Sequence, residues 1–137
     1  MKKIKKITAS IMAVAAMATS QFAINASANN VYEPGIGAFT WDNTEATIEN
    51  LASNTRLVTT YCTVYRDDTG AYENDFGADN RKWNSTLQTY VVNGNTATVD
   101  YSGYSINTYH FRVSGSVYNT TLPIAGVAWS SGYKYAG

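Results

Sequence analysis

The sequence predicts an all-β fold, a single antiparallel β-sandwich, with a small β-barrel as the alternative. Seventeen of the eighteen aromatic residues lie after residue 28, among Thr, Val, Ser, Asn and Gly. This composition favours pleated strands joined by turns. Short segments in which apolar and polar residues alternate recur at close spacing. No segment is long enough to provide the crossover helix that a parallel sheet needs.

The first 28 residues have the three parts of a secretory signal peptide. Four lysines lie among the first six residues, residues 7–16 are mostly small and apolar, and residues 26–28 read Ala-Ser-Ala. A basic start, an apolar middle and small residues before the cleavage point define such leaders. We therefore expect residues 29–137 to form one secreted, extracellular β-sandwich domain. The short, lysine-rich leader is typical of Gram-positive bacteria, and no later apolar run is long enough to span a membrane.

Removal of the leader changes the charge of the protein. The whole chain is formally neutral, but residues 29–137 keep six basic and all ten acidic residues, a net charge of −4. Nucleic-acid binding depends on basic residues that neutralise phosphates. The acidic surface and the lack of a basic stripe therefore argue against nucleic acid as a partner.

In chain order, the first element is ambiguous and the second is clear. Residues 43–52 fit either a strand or a short helix capped by Asn43 or Thr44, and we favour the helical turn. Residues 57–66 are a strand whose alternation separates two sets of side chains. One face carries Leu57, Thr59, Tyr61, Thr63 and Tyr65, and the other carries Val58, Thr60, Cys62 and Val64. Residues 66–82 follow as the longest polar connection.

The central part of the chain predicts a hairpin and a further strand. Asn93-Gly94 separates the β-rich segments 86–92 and 95–101, and Asn-Gly is the preferred two-residue hairpin loop. Residues 106–114 predict another strand. Tyr109, Phe111 and Val113 share one of its faces, and His110 and Arg112 share the other.

The C-terminal part predicts three short strands, 116–122, 124–130 and 133–136. Pro123 is expected at an edge or a bend, because it cannot donate to a strand ladder. Residues 122–129 are the most apolar run after the leader. A run of this length favours a buried core strand.

Half of the acidic residues lie in the polar connection and suggest a weak calcium site. Ca²⁺ takes six to eight oxygen ligands, largely from carboxylates and carbonyls. The spacing is not that of an EF-hand loop, and no other cofactor is expected. The candidate ligands are Asp67, Asp68, Glu73, Asp75 and Asp79.

The aromatic residues are too many for one small core, so some are expected at the surface. Exposed planar rings offer large contact area at little entropic cost and can stack on sugar rings. We therefore predict a non-enzymatic binding module for glycan or cell-surface material. The candidate contact residues are Trp41, Trp83, Tyr104 and Trp129.

Two other functions fit the sequence less well. The leader, the size and the glycine and aromatic content also suit a secreted, bacteriocin-like antibacterial protein, although membrane-active proteins are usually basic. A Cys/His hydrolase would use Cys62, the only cysteine, and His110, the only histidine. Asp100 or Asn107 would then orient the histidine. The alternative for this pair is a buried thiol and an ordinary strand histidine.

Overall fold

The computed structural model describes residues 29–137; the predicted signal peptide lies outside them and stays a prediction. Residues Val31–Gly137 form one compact unit. Strands dominate the described residues, and one 3-10 turn lies at Pro123–Ala125. The strands are β1 (Asn29–Glu33), β2 (Gly37–Trp41), β3 (Glu45–Asn50), β4 (Val58–Arg66), β5 (Tyr72–Asp79), β6 (Arg81–Asn84), β7 (Thr89–Val92), β8 (Thr96–Asp100), β9 (Tyr109–Tyr118), β10 (Val127–Ser130) and β11 (Lys134–Ala136).

The strands form two main sheets, which confirms the predicted all-β sandwich. Sheet A has the order β1-β2-β3-β8, and sheet B has the order β10-β9-β4-β5. Strand β11 pairs with the first half of β9, while β10 pairs with its second half. Strands β6 and β7 form a separate two-stranded hairpin. The pairings among β2–β11 are antiparallel.

The core is built from alternate residues of both sheets. Sheet A contributes Phe39, Trp41, Ala46, Ile48, Ala97 and Val99, and sheet B contributes Val58, Cys62, Val64, Phe111, Val113 and Val117. The inward residues are apolar or small, and the intervening ones are polar or aromatic, as the period of a strand requires. The face assignments made from the sequence for β4 and β9 are therefore confirmed.

Gly115 marks a close approach of the two sheets. It lies on the inward face of β9, and a Cβ built there would come within 2.6 Å of Phe39 Cδ1 and 3.0 Å of Ile48 Cβ. Both neighbours are fully buried. The ring of Phe39 therefore occupies the space that any larger residue at position 115 would need.

Asn80 is a buried polar link between three segments. Its Oδ1 accepts a hydrogen bond from Val58 N, and its Nδ2 donates to Arg56 O and Gly94 O. The residue is 1% exposed. Because each of these backbone groups would otherwise lie unsatisfied, Asn80 holds the start of β4 and the β7–β8 connection together.

The prediction of a helical turn at 43–52 is wrong. Residues Glu45–Asn50 are strand β3, which pairs with β2 and β8. Asp42 Oδ1 accepts hydrogen bonds from Thr44 N and Glu45 N. The aspartate thereby closes the tight β2–β3 hairpin. The strand is favoured because Ala46 and Ile48, two residues apart, both point into the core.

The prediction of an Asn93-Gly94 hairpin is also wrong. The flanking strands do not pair with each other: β7 pairs with β6, and β8 pairs with β3. Gly94 does take the positive φ, at 86°, that such turns require. The turn nevertheless carries the chain from the small hairpin to sheet A, where Asn80 anchors it.

The polar connection 66–82 contains strand β5, the edge of sheet B. Charged residues are common on edge strands because they discourage pairing with other chains. The two predicted strands 106–114 and 116–122 are one continuous strand, β9.

The predicted burial of residues 122–129 is wrong. Pro123 begins the 3-10 turn, and Gly126 follows it with a φ of 88°. Ile124 is 91% exposed. Proline cannot donate to a ladder, so the strand restarts only at Val127.

Candidate ligand-binding face

The outer face of sheet B gathers aromatic and polar side chains. In β4 and β9, inward residues fill the core, so Tyr61, Thr63 and Tyr65 point outward together with His110 and Arg112. The register sets Tyr65 opposite His110 and Thr63 opposite Arg112. Tyr133 and Tyr135 join this face from the C-terminal segment. We call Tyr61, Tyr65, His110, Arg112 and Tyr133 the aromatic face.

Tyr61 packs over the neighbouring strand. Its partner in β5 is Gly77, and a Cβ built on Gly77 would come within 2.6 Å of Tyr61 Cδ1 and 2.7 Å of Cε1. The absence of a side chain at position 77 therefore makes room for the ring. Tyr61 is 57% exposed, so the ring presents a planar apolar surface to solvent.

Tyr65 and His110 form a stacked pair next to it. Their ring centroids are 5.4 Å apart and the planes differ by 18°. His110 Nδ1 lies 2.8 Å from Asp67 Oδ1. The carboxylate fixes the orientation of the imidazole, and the imidazole in turn fixes the plane of Tyr65.

Arg112 lies between two tyrosines. Its Cζ is 4.2 Å from the ring centroid of Tyr133 and 5.8 Å from that of Tyr65. Stacking of this kind suits the planar guanidinium. The Nε of Arg112 is buried and has no hydrogen-bond partner among residues 29–137.

The predicted contact residues do not form one surface. Trp41 is 9% exposed and stacks on Phe39 at 5.6 Å in the core, so its expected exposure is wrong. Trp129 is half-buried beside Gly37. Both tryptophans fill space between the sheets.

The other two predicted residues lie nearer the surface. Tyr104 is half-buried, with Phe76 and Tyr109 at centroid distances of 6.2 and 5.2 Å. Trp83 is 54% exposed and packs edge-on against Tyr90 across the β6–β7 hairpin. Trp83 and Tyr90 therefore form an exposed aromatic pair on the β6–β7 hairpin, outside the five residues of the aromatic face.

The candidate calcium ligands are not brought together. Nowhere in residues 29–137 do three His, Cys, Asp or Glu side chains converge so that they could hold a metal ion. Strand β5 is extended and spreads its carboxylates along its length. Four of the candidates have other partners: Asp67 contacts His110, Asp68 pairs with Arg66, Asp75 accepts from Tyr72, and Asp79 pairs with Arg81. Glu73 is exposed on β5.

Cys62 and His110 lie on opposite faces of sheet B. Cys62 is fully buried in the core, and its burial raises the pKa of the thiol to about 12. His110 contacts Asp67, and neither Asp100 nor Asn107 orients it. A nucleophile must lie within hydrogen-bond reach of its base, so the proposed dyad is wrong and the cysteine is a core residue.

The sequence contained the signal for the aromatic face, although it did not single out its residues. Alternation already placed Tyr61 and Tyr65 on one side of β4, and His110 and Arg112 on one side of β9. Only the pairing of β4 with β9 shows that these two sides are the same surface.

The comparisons with known proteins identify no relative. No family model, no curated protein and no solved structure gives a match to the chain. Within the described range 29–137, no helix is long and apolar enough to cross a membrane.

Proposed function

We propose that this protein is a secreted binding module that takes glycan or cell-surface material on the aromatic face. The observation that carries the proposal is Tyr61, which packs over Gly77 with its ring open to solvent. An exposed ring held against a sheet offers a sugar ring an apolar plane of matching size. Because Gly77 supports the ring from below, little side-chain freedom is lost on binding.

Neighbouring groups supply polar contacts around that plane. Thr63 and Ser114 lie on the same outer face, next to Arg112 and opposite Tyr61 respectively. Hydroxyl and guanidinium groups can hydrogen-bond sugar hydroxyls at the edge of a stacked ring. Aromatic planes flanked by a few polar groups are the usual composition of ligand surfaces.

The test compares two exposed aromatic patches of the same protein. Residues 29–137 are tested by affinity electrophoresis and pull-down against cellulose, chitin, soluble plant polysaccharides and purified Gram-positive cell walls. Tyr61→Ala and Tyr133→Ala are expected to weaken binding about tenfold each, about 1.4 kcal/mol.

Trp83→Ala and Tyr90→Ala remove rings of similar exposure from the small hairpin and serve as matched controls. They are expected to leave binding unchanged. Loss of binding in the hairpin variants alone would move the site to that patch. No retention on any of these materials would contradict glycan binding.

A further inference from the structure

We propose that the aromatic face selects sugars that carry an oxyanion, a carboxylate or a phosphate, and that Arg112 pairs with that group. This inference rests on the proposed glycan-binding function and narrows its ligand class. The observation that carries it is that Arg112 stacks between two tyrosines, is held in one orientation and pairs with no carboxylate among the described residues.

Two other arginines of the described residues pair with an acidic side chain, whereas Arg112 does not. Arg66 donates to both carboxylate oxygens of Asp68, and Arg81 donates through Nε and Nη2 to Asp79 Oδ2. Arg112 has Thr63 and Tyr135 as its cross-strand neighbours and forms no ion pair. Its charge is therefore not neutralised within the part of the chain that the structure describes.

The nearby carboxylates are engaged elsewhere. Asp67 is held by His110, and Asp75, opposite Thr63 on β5, accepts a hydrogen bond from Tyr72 Oη at 2.8 Å. These two carboxylates therefore do not pair with Arg112, which leaves its guanidinium available to an anionic ligand.

The two tyrosines restrict Arg112 to one orientation. Tyr133 lies 4.2 Å from its Cζ and Tyr65 lies on the other side at 5.8 Å. A guanidinium held in one plane loses little freedom when it forms paired hydrogen bonds to an oxyanion. Its Nε is buried without an acceptor among residues 29–137, so no hydrogen bond from Nε has to break when the guanidinium binds an oxyanion.

The same tyrosines extend the site toward a sugar. When the anionic group of a ligand contacts Arg112, the rings of Tyr61 and Tyr133 lie on the same face of sheet B and are available to its sugar ring. The anionic group would then fix the position of the ligand on the face, and the two tyrosine rings would provide the stacking contact. Neutral sugars would keep only the stacking contact.

The first experiment is an NMR titration of the Arg112 Nε–H signal in residues 29–137. The ligands are galacturonate, galactose 6-phosphate and galactose at equal ionic strength. Saturable shifts with either acidic sugar, and none with galactose, support the proposal and identify which oxyanion is preferred. Equal responses to all three ligands, or no response to any, would overturn it.

The second experiment measures affinity for polygalacturonate and for its methyl ester, which differ only in the charged group. The wild type is expected to bind the acid at least tenfold more tightly, and Arg112→Gln to abolish that preference while keeping the weaker binding of the ester. Arg112→Lys keeps the charge without the planar fork and is expected to be intermediate. Lys82→Gln removes a positive charge from the small hairpin and should change nothing.

The two experiments separate the two claims. Equal affinity for acid and ester, with unaltered Arg112→Gln binding, would overturn the oxyanion preference and leave glycan binding in place. A specific Arg112 shift without binding of either polymer would support the oxyanion site and contradict polysaccharide binding. Amide spectra of each variant establish that the fold is kept.

Discussion

Gly115→Ala should destabilise the sandwich by overfilling its core. The added Cβ would lie 2.6 and 2.9 Å from two carbons of the Phe39 ring and 3.0 Å from Ile48 Cβ. Unstrained carbon atoms lie about 3.5–4.0 Å apart. Both neighbours are fully buried, so neither can turn toward solvent, and the sheets must separate or the ring must leave its rotamer.

The expected cost follows from two opposing effects. Overpacking of a filled core costs about 1–3 kcal/mol, whereas alanine reduces the freedom of the unfolded chain and returns about 0.4–1 kcal/mol. We expect a net loss of about 1–2 kcal/mol in the free energy of unfolding. For a domain of this size that loss lowers Tm by about 5–15 °C.

Urea unfolding of residues 29–137, followed by tryptophan fluorescence, measures this loss. Gly103→Ala is the matched control, because a Cβ there meets nothing within 4 Å and its φ is not positive. The second change Phe39→Leu should recover part of the loss in Gly115→Ala, as expected for residues in contact. A Gly115→Ala variant as stable as the Gly103→Ala control would refute the packing of β9 against β2 and β3.

Three further predictions concern buried polar or ionisable groups. Asn80→Asp replaces the amide donor that serves two backbone carbonyls with a carboxylate oxygen. It should lower the free energy of unfolding, measured in urea titrations, by about 2–4 kcal/mol. The same change at the exposed Asn107 should leave the free energy of unfolding unchanged. Burial raises the pKa of Glu49 from 4.5 to about 7, so the folded protein binds more protons between those values and loses up to about 3 kcal/mol of stability as pH rises through them. Glu49→Gln should remove this slope in urea titrations at pH 4.5–7.5, whereas Glu73→Gln should keep it. Cys62 should not react with a thiol reagent in the native protein and should react fully in denaturant, because it is completely buried; rapid native labelling would contradict its place in the core.

The sequence was sufficient for the fold class because strand periodicity is a local property. Alternation in 57–66 and 106–114 separated the two faces of β4 and β9 correctly. The same reasoning failed at β3, because the residue types that cap a helix are also those that close a hairpin, as Asp42 does here. Both are polar side chains that bond to nearby backbone, so composition alone does not separate them.

Strand pairing was the main element that the sequence did not predict. Asn93-Gly94 has the local chemistry of a hairpin, yet its flanking strands join different partners. The connection between them is held by Asn80, thirteen residues earlier, whose amide reaches Arg56, Val58 and Gly94 at once. Contacts between distant segments are set by the whole core and leave no pattern in a short window.

The candidate site was difficult to predict for the same reason. Tryptophans were chosen because large rings suit ligand contacts, but large rings also suit cores, and Trp41 is buried there. The aromatic face instead uses tyrosines: Tyr61 and Tyr65 point outward by strand alternation in β4, and Tyr133 precedes β11. Its composition became visible only once β4, β5 and β9 were adjacent.

The most direct test of the proposed function is the affinity of four alanine variants for the polysaccharide or cell-wall material that the wild type binds most tightly. We predict that Tyr61→Ala and Tyr133→Ala weaken this binding about tenfold each, while Trp83→Ala and Tyr90→Ala leave it unchanged. Equal affinities for all four variants would contradict a binding site on the outer face of sheet B.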